Sequence, residues 1–291
     1  MDDLALIAAP RPGPFAAFAR WFRRDLRGAL SLSFLFALMT LVTLAPWVAP
    51  YSPTVQDLNA MMAPISPEHW LGTDDLGRDT LSRLIHGGGA SLYASFLAVA
   101  IAIVIGVPMG IFAGYLGGWI DEIISRVIDS FLSFPAIVLA IAVTGALGIG
   151  LTNGMISVGI VFAPQLARLS RARTLVVRND LYVDSARCLG ASTGYILWRH
   201  ILPNTIQPVI VQVTLLLAAA LLAEASLSFL GLGIQPPNAS WGAMLARAYQ
   251  NMELAPEQMY PPGLAILLTA LAFNTLGESL RKELDPTTRQ L

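Results

Sequence analysis

The sequence predicts an all-α polytopic membrane protein of about six transmembrane helices, and three observations carry that prediction. Of its 291 residues, 55% are hydrophobic and only 13% charged, with a mean hydropathy of +0.63, which is not the balance of a soluble globular domain. Between Arg27 and Asp57, Arg83 and Asp121, Asp129 and Arg168, and Glu257 and Glu278 there is no Asp, Glu, Lys or Arg. A membrane helix needs about 20 apolar residues to cross the hydrocarbon, and these gaps supply them. Once six spans are drawn, the basic residues fall unevenly: five N-terminal arginines, those from Arg126 to Arg199, and Arg281, Lys282 and Arg289 share one side, against Arg78, Arg83 and Arg247 on the other. Positive charge marks the cytoplasmic side, so both chain ends are expected there.

Taken in order, residues 1–28 form a cytoplasmic N-terminal segment. Arg11, Arg20, Arg23, Arg24 and Arg27 precede the first apolar run, and Pro10, Pro12 and Pro14 oppose regular structure. The first span, 29–49, reads as a retained signal anchor: it is too long for a cleavable h-region and no Ala-x-Ala-type site closes it. It forms, with the external loop that follows, a unit over 29–88. Pro53, Pro64 and Pro67 mark that loop, and 79–85 is expected as a short helix lying in the interface. Asp74, Asp75 and Asp79 lack the alternating pattern of a calcium loop, and Arg78 stands where it can neutralise them.

Residues 89–281 form the transmembrane core. Its first span, 91–115, carries Gly106, Pro108, Gly110 and Gly114, which predict close helix packing with a local bend. A single span is expected over 124–146, with Arg126 and Asp129 as a local ion pair on it. A hairpin at Gly148, Gly150, Asn153 and Gly154 leads to a span over 155–170. A polar loop, 171–205, then separates it from spans over 206–230 and 262–277, which flank an external loop, 231–260. Residues 282–291 are the cytoplasmic tail.

The polar loop has its own helical pattern. Asp180 can cap a helix in which Tyr182, Ala186 and Leu189 share one side, and Gly190 falls where that helix must stop or approach another backbone. Ser192 or Thr193 can cap a second helix over 195–200, limited by Leu202-Pro203. By periodicity alone this is an amphipathic loop resting on headgroups.

The spacing adds more. Asp184-Ser185-Ala186, then Gly190, then Ile201-Leu202-Pro203 resembles the Glu-Ala-Ala loop of permease subunits of binding-protein-dependent ABC importers, with Asp-Ser-Ala in place of Glu-Ala-Ala. The stretches His69–Gly88, Ala113–Pro135, Glu224–Leu245 and Leu271–Pro286 are similar, in order, to permeases of dipeptide, oligopeptide and nickel importers. The resemblance implies a type I ABC importer transmembrane fold that forms half of a translocation pathway, with a second homologous permease subunit as the other half. It implies that Asp184, Ser185, Ala186, Gly190, Ile201, Leu202 and Pro203 couple to two cytoplasmic ATPase subunits, and that an extracytoplasmic solute-binding protein delivers the substrate. The location implied is the bacterial cytoplasmic (inner) membrane. Peptides are the expected cargo, with nickel or another small solute as the alternative.

Other chemistry is scarce. The single lysine, Lys282, lies in no phosphate-binding loop, so ATP and Mg are expected on the partner ATPases, with no cofactor in this chain. None of the three histidines falls at a plausible mid-membrane depth to act as base to a serine, and the chain is not expected to be an enzyme. One cysteine, Cys188, read as a small packed thiol, excludes a disulfide framework, and three scattered histidines suggest no metal site. The basic residues follow membrane topology and are not gathered on one face, which argues against nucleic acid. Glu224, inside the fifth span, costs about 2.5–3.5 kcal/mol to insert and is expected to face a partner or a wet cavity or to be protonated, either lining the translocation path or hydrogen-bonding within the protein. An ion-coupled carrier acting alone is the competing reading, with Glu224 as its acid.

Overall fold

The computed structural model describes residues 20–284, so the predicted N-terminal segment up to residue 19 and the tail from 285 lie outside the described residues. It is helical throughout, with no strand among the described residues. The first helix long enough to span, α1 (Leu26–Thr43), is capped by Asp25, which accepts from the Gly28 amide at 3.1 Å. A single turn, α2 (Ala45–Val48), ends it.

The next helix is α3 (Thr80–Leu116), 37 residues without interruption. The expected interfacial helix at 79–85 is thus its first turns. Asp79 caps it, accepting from the Ser82 amide at 2.7 Å, and this buried carboxylate fixes the start there. At 1.5 Å per residue α3 is about 55 Å long, well beyond the ~30 Å hydrocarbon core, so it projects past the bilayer.

The span expected over 124–146 is broken. Helices α4 (Gly118–Leu132) and α5 (Ala136–Leu147) meet at 96° across three residues. Pro135 fixes its own φ and pushes Phe134 out of the α region, which breaks an otherwise apolar run. The expected Arg126–Asp129 pair is absent too: Arg126 pairs with Glu122 at 2.7 Å, four residues back on its own helix, while Asp129 takes Arg168 at 2.6 Å from α6 (Leu151–Val177).

Helix α6 packs parallel to α3 along most of its length, the most extensive helix pair among the described residues. The glycines decide this. A Cβ at Gly106 would strike the Ala163 carbonyl, one at Gly110 the Ala167 carbonyl, and one at Gly114 the Arg171 carbonyl at 2.9 Å. Gly159 on α6 returns the arrangement, with the Ala98 carbonyl 2.7 Å from its missing Cβ. Four-residue spacing puts these glycines on one face, where dispersion between backbones replaces the hydrophobic drive that lipid abolishes.

Helices α9 (Leu202–Phe229) and α11 (Tyr260–Leu284) complete the bundle, with α10 (Trp241–Gln250) between them. Four helices are individually long and apolar enough to span, and five if α4 and α5 count as one bent span. The expected sixth, α6, falls short in hydropathy because Asn153, Gln165 and its arginines dilute it. Packed against α3, α5 and α9, it has little surface to offer lipid.

At the end opposite the polar loop, residues 51–79 are bound down by ions and backbone. Arg78, 1% exposed, pairs with Asp74 at 2.7 Å, Arg83 reaches the same carboxylate at 3.3 Å, and Arg247 of α10 holds Asp75 at 3.0 Å. Arg83 also donates to the Pro53 carbonyl at 2.7 Å. The Arg247–Asp75 pair is part-exposed, so Arg247→Gln should lower stability by at most about 1 kcal/mol while loosening α10. Thermal unfolding in detergent with hydrogen exchange of 241–250 checks this; unchanged exchange would show that α10 is held without the pair.

Candidate functional site

The polar loop begins where α6 ends, at Arg178, and runs through two short helices, α7 (Leu181–Cys188) and α8 (Thr193–Ile196). Asp180 occupies the cap position of α7 without a side-chain hydrogen bond; Ser192 caps α8, accepting from the Tyr195 amide at 3.4 Å. The second helix does not stop at Leu202-Pro203. A π turn, Leu197–Ile201, carries the chain directly into α9, where Pro203 sits in the first turn and needs no amide partner. Loop and span are therefore one continuous helical stretch from Thr193 to Phe229.

The seven predicted loop residues divide by environment. Ile201 is fully buried, and Ala186 and Leu202 pack partly against the core. Asp184 is exposed and pairs with Arg187 at 3.0 Å; Ser185 is exposed, its hydroxyl donating to the Leu181 carbonyl at 2.8 Å. Pro203 is exposed as well. Gly190 takes φ +79, and a Cβ there would meet nothing within 4 Å. It is a left-handed stop and not a close approach, with its amide donating to the Arg187 carbonyl at 2.9 Å.

Two features of the loop escaped the sequence. Its anchors are Val183, fully buried, and Ile196, 2% exposed, while Tyr182 and Leu189, on the side picked out by spacing, are exposed. Leu189 is 88% exposed and Leu181 85%; with Trp198 at 75% and Tyr195 they leave large apolar side chains uncovered on both sides of Gly190. A periodicity count cannot separate these two faces, because both are apolar. Cys188 is exposed, not packed. His200 lies between Tyr182 and Tyr195, with ring centroids 5.8 and 5.7 Å away, and joins the two arms of the loop. Partial burial, with the nearby Asp180 carboxylate, pushes the Tyr182 hydroxyl above its ordinary pKa.

The loop also touches α3. Arg178 donates to the Gly114 carbonyl at 2.8 Å, and the Arg187 guanidinium stands 5.3 Å from the centre of the Tyr115 ring.

Glu224 lies elsewhere, within α9 and 1% exposed. Its carboxyl accepts from Ser91 of α3 at 3.0 Å and from Ser228 at 2.7 Å, and the Ser91 oxygen accepts in turn from the Trp241 amide of α10 at 3.1 Å. One acid thus connects three helices. A groove of about 250 Å³ between α5, α6 and α9 is lined by Ala140, Val158, Phe162, Ala223 and Leu227, beside Glu224 in sequence but without it. Among the described residues no group of three His, Cys, Asp or Glu side chains is placed to hold a metal ion.

Comparison with known proteins points one way. Residues 106–290 match the family model described as the binding-protein-dependent transport system inner membrane component. The chain is 45% identical over 274 residues to the glutathione transport system permease protein GsiD of Shigella flexneri serotype 5b (strain 8401), covering 94% of this chain and 90% of that one. It is 44% identical, over the same shares, to its namesake in Escherichia coli O157:H7. Among solved structures, an inward-facing conformation of the MetNI methionine ABC transporter aligns with a TM-score of 0.58 at 18% identity, over 70% of this chain and 97% of that chain, a likeness of fold.

Proposed function

Since this chain belongs to the family of binding-protein-dependent transport system inner membrane components, a family of transport subunits and not of enzymes, we propose that it forms half of the translocation pathway of an ATP-driven importer for small peptides. The observation that carries the coupling part is the apolar surface around Gly190. Leu181, Leu189 and Trp198 remain uncovered on the polar loop, and large apolar side chains left exposed outside the spans suit a protein contact. An ATPase subunit docking there would cover them, with Asp184, Ser185, Gly190 and Pro203 facing it and Ala186, Ile201 and Leu202 seating the loop on the bundle.

In this reading 171–205, which is the last turns of α6, the loop and the start of α9, is cytoplasmic, as are 1–28 and 282–291. Residues 29–88 supply the first span and an external segment, and 89–281 the transmembrane core. The partners are a second permease subunit, two ATPases that bind ATP and Mg, and an external solute-binding protein. Glu224 serves as an internal brace, satisfied by serine hydroxyls and outside the groove lining. Its full burial also disfavours a lone ion-coupled carrier, which needs its acid to meet water or the ion in turn. Peptide cargo is inferred from the glutathione permease relatives, since glutathione is itself a tripeptide.

A pull-down from solubilised membranes tests the reading, comparing the native chain with Gly190→Trp. No neighbour stands within 4 Å of the Gly190 Cβ position, so the substitution disturbs the docking face and one left-handed residue, at about 1–2 kcal/mol, and not the core. The native chain should bring down an ATPase pair and a second permease, and the variant should lose the ATPases while still inserting. A native chain that purifies without ATPase yet moves solute in vesicles would overturn the proposal. Vesicle uptake of labelled glutathione against nickel then decides the cargo.

A further inference from the structure

We infer that α3, clamped to the coupling loop by Arg178 and by Arg187 stacked on Tyr115, carries the ATPase-driven movement to the external face. The inference rests on the coupling reading above, and it departs from the simplest version of it, in which only the two helices continuous with the loop would move.

The clamp is built from side chains that satisfy real deficits. Helix α3 ends at Leu116, and the Gly117 amide takes the Ala113 carbonyl at 3.1 Å. That leaves the carbonyls of the last turn without intrahelical donors. Arg178 supplies one, donating to the Gly114 carbonyl at 2.8 Å, and its charge sits against the negative end of a long helix. The approach is possible because α3 and α6 are at backbone contact through Gly106, Gly110 and Gly114. Nine residues further on, Arg187 of α7 lies over the Tyr115 ring, adjacent to Gly114 on α3. The π turn Leu197–Ile201 also packs against α3. Three successive parts of the loop therefore touch α3, two of them at its end.

The other end of α3 is equally tied. Asp79 caps it, Arg83 joins the Asp74 carboxylate, and Ser91 accepts from the Trp241 amide at 3.1 Å, which fixes α10. One unbroken helix of 37 residues thus links the coupling loop to 51–79 and to α10. A rigid element held at both ends moves as a body, and contact with both sites is what lets each bias the other.

Hydrogen exchange on the assembled transporter tests this, with and without a non-hydrolysable ATP analogue. The native complex should show nucleotide-dependent changes both in 181–205 and in 74–95 with 241–250. In Arg178→Ala combined with Tyr115→Leu, the loop change should persist while the far change falls at least about fivefold, the lower bound for a coupling of 1–3 kcal/mol. Arg178→Lys, which keeps a donor and a charge, and Tyr115→Phe, which keeps the ring face, should restore it. Should the double variant fail to assemble, Tyr115→Leu alone decides, since Tyr115 is only part-buried and leucine keeps an apolar side chain against the bundle. A far change that persists in the variants, or is missing in a native complex whose loop responds, overturns the role of α3. A native complex with no bound ATPase, or with a silent loop, overturns the coupling reading instead.

Discussion

Gly110→Leu is expected to leave almost no folded protein in the membrane. A Cβ at Gly110 would overlap the Ala167 carbonyl and come within 2.7 Å of the Ser170 Cβ and 2.8 Å of the Arg171 amide. Two of those three atoms are backbone of α6, so no rotamer change relieves the clash, and the helices must separate. Separation would also open the contacts at Gly106 and Gly114, because the three lie on one face. Overpacking a closed core costs about 1–3 kcal/mol where side chains can give way, and here the loss should reach or pass the upper figure. Gly110→Ala should fall between, as even its single methyl group meets the carbonyl. Gly145→Leu is the control, since a Cβ there meets nothing within 4 Å. Membrane yield and thermal unfolding in detergent are the measurements, and a Gly110→Leu chain that melts like the native one would mean that the α3–α6 contact is looser than described.

Replacing Glu224 should give the second large effect, and its size should depend on the replacement. In Glu224→Leu the hydroxyls of Ser91 and Ser228 both lose their acceptor, at about 1–3 kcal/mol for each buried donor left unpaired. Ser91 also accepts from the Trp241 amide, so the damage should extend to α10 and appear as faster hydrogen exchange over 241–250. Glu224→Gln keeps a carbonyl oxygen in the same place and should retain most of the stability. The pair of variants separates bracing from transport: loss of uptake in Glu224→Gln with unfolding unchanged would place Glu224 on the path of the substrate, whereas parallel losses in Glu224→Leu alone fit the brace.

Much of the arrangement was legible before any coordinates. The glycines at 106, 110 and 114 announced a close helix contact, and Gly190 announced a turn; both follow from the absence of a Cβ, a property of the residue itself. Leu202-Pro203 misled, because a π turn and a proline without need of an amide partner let the helix run on. The third span misled differently: the run 124–146 is apolar enough to cross, and Pro135 bends it by 96°. Arg126 and Asp129 were read as partners on helical spacing, but each found a closer charge, one of them on another helix.

What the sequence determined by itself was the medium and the units: charge-free runs long enough for hydrocarbon, the polar loop between two of them, and the points where only glycine fits. These are local properties, set by transfer from water and by the Cβ of each residue. Only the tertiary structure decided which apolar side chains of the loop are buried and which wait uncovered, Val183 and Ile196 against Leu181 and Leu189. It alone set Glu224 among three helices and Arg178 on the end of α3. Those placements depend on residues far apart in the chain, 133 positions between Ser91 and Glu224 and 64 between Gly114 and Arg178, and hydrophobic patterning specifies a face without naming the partner that covers it.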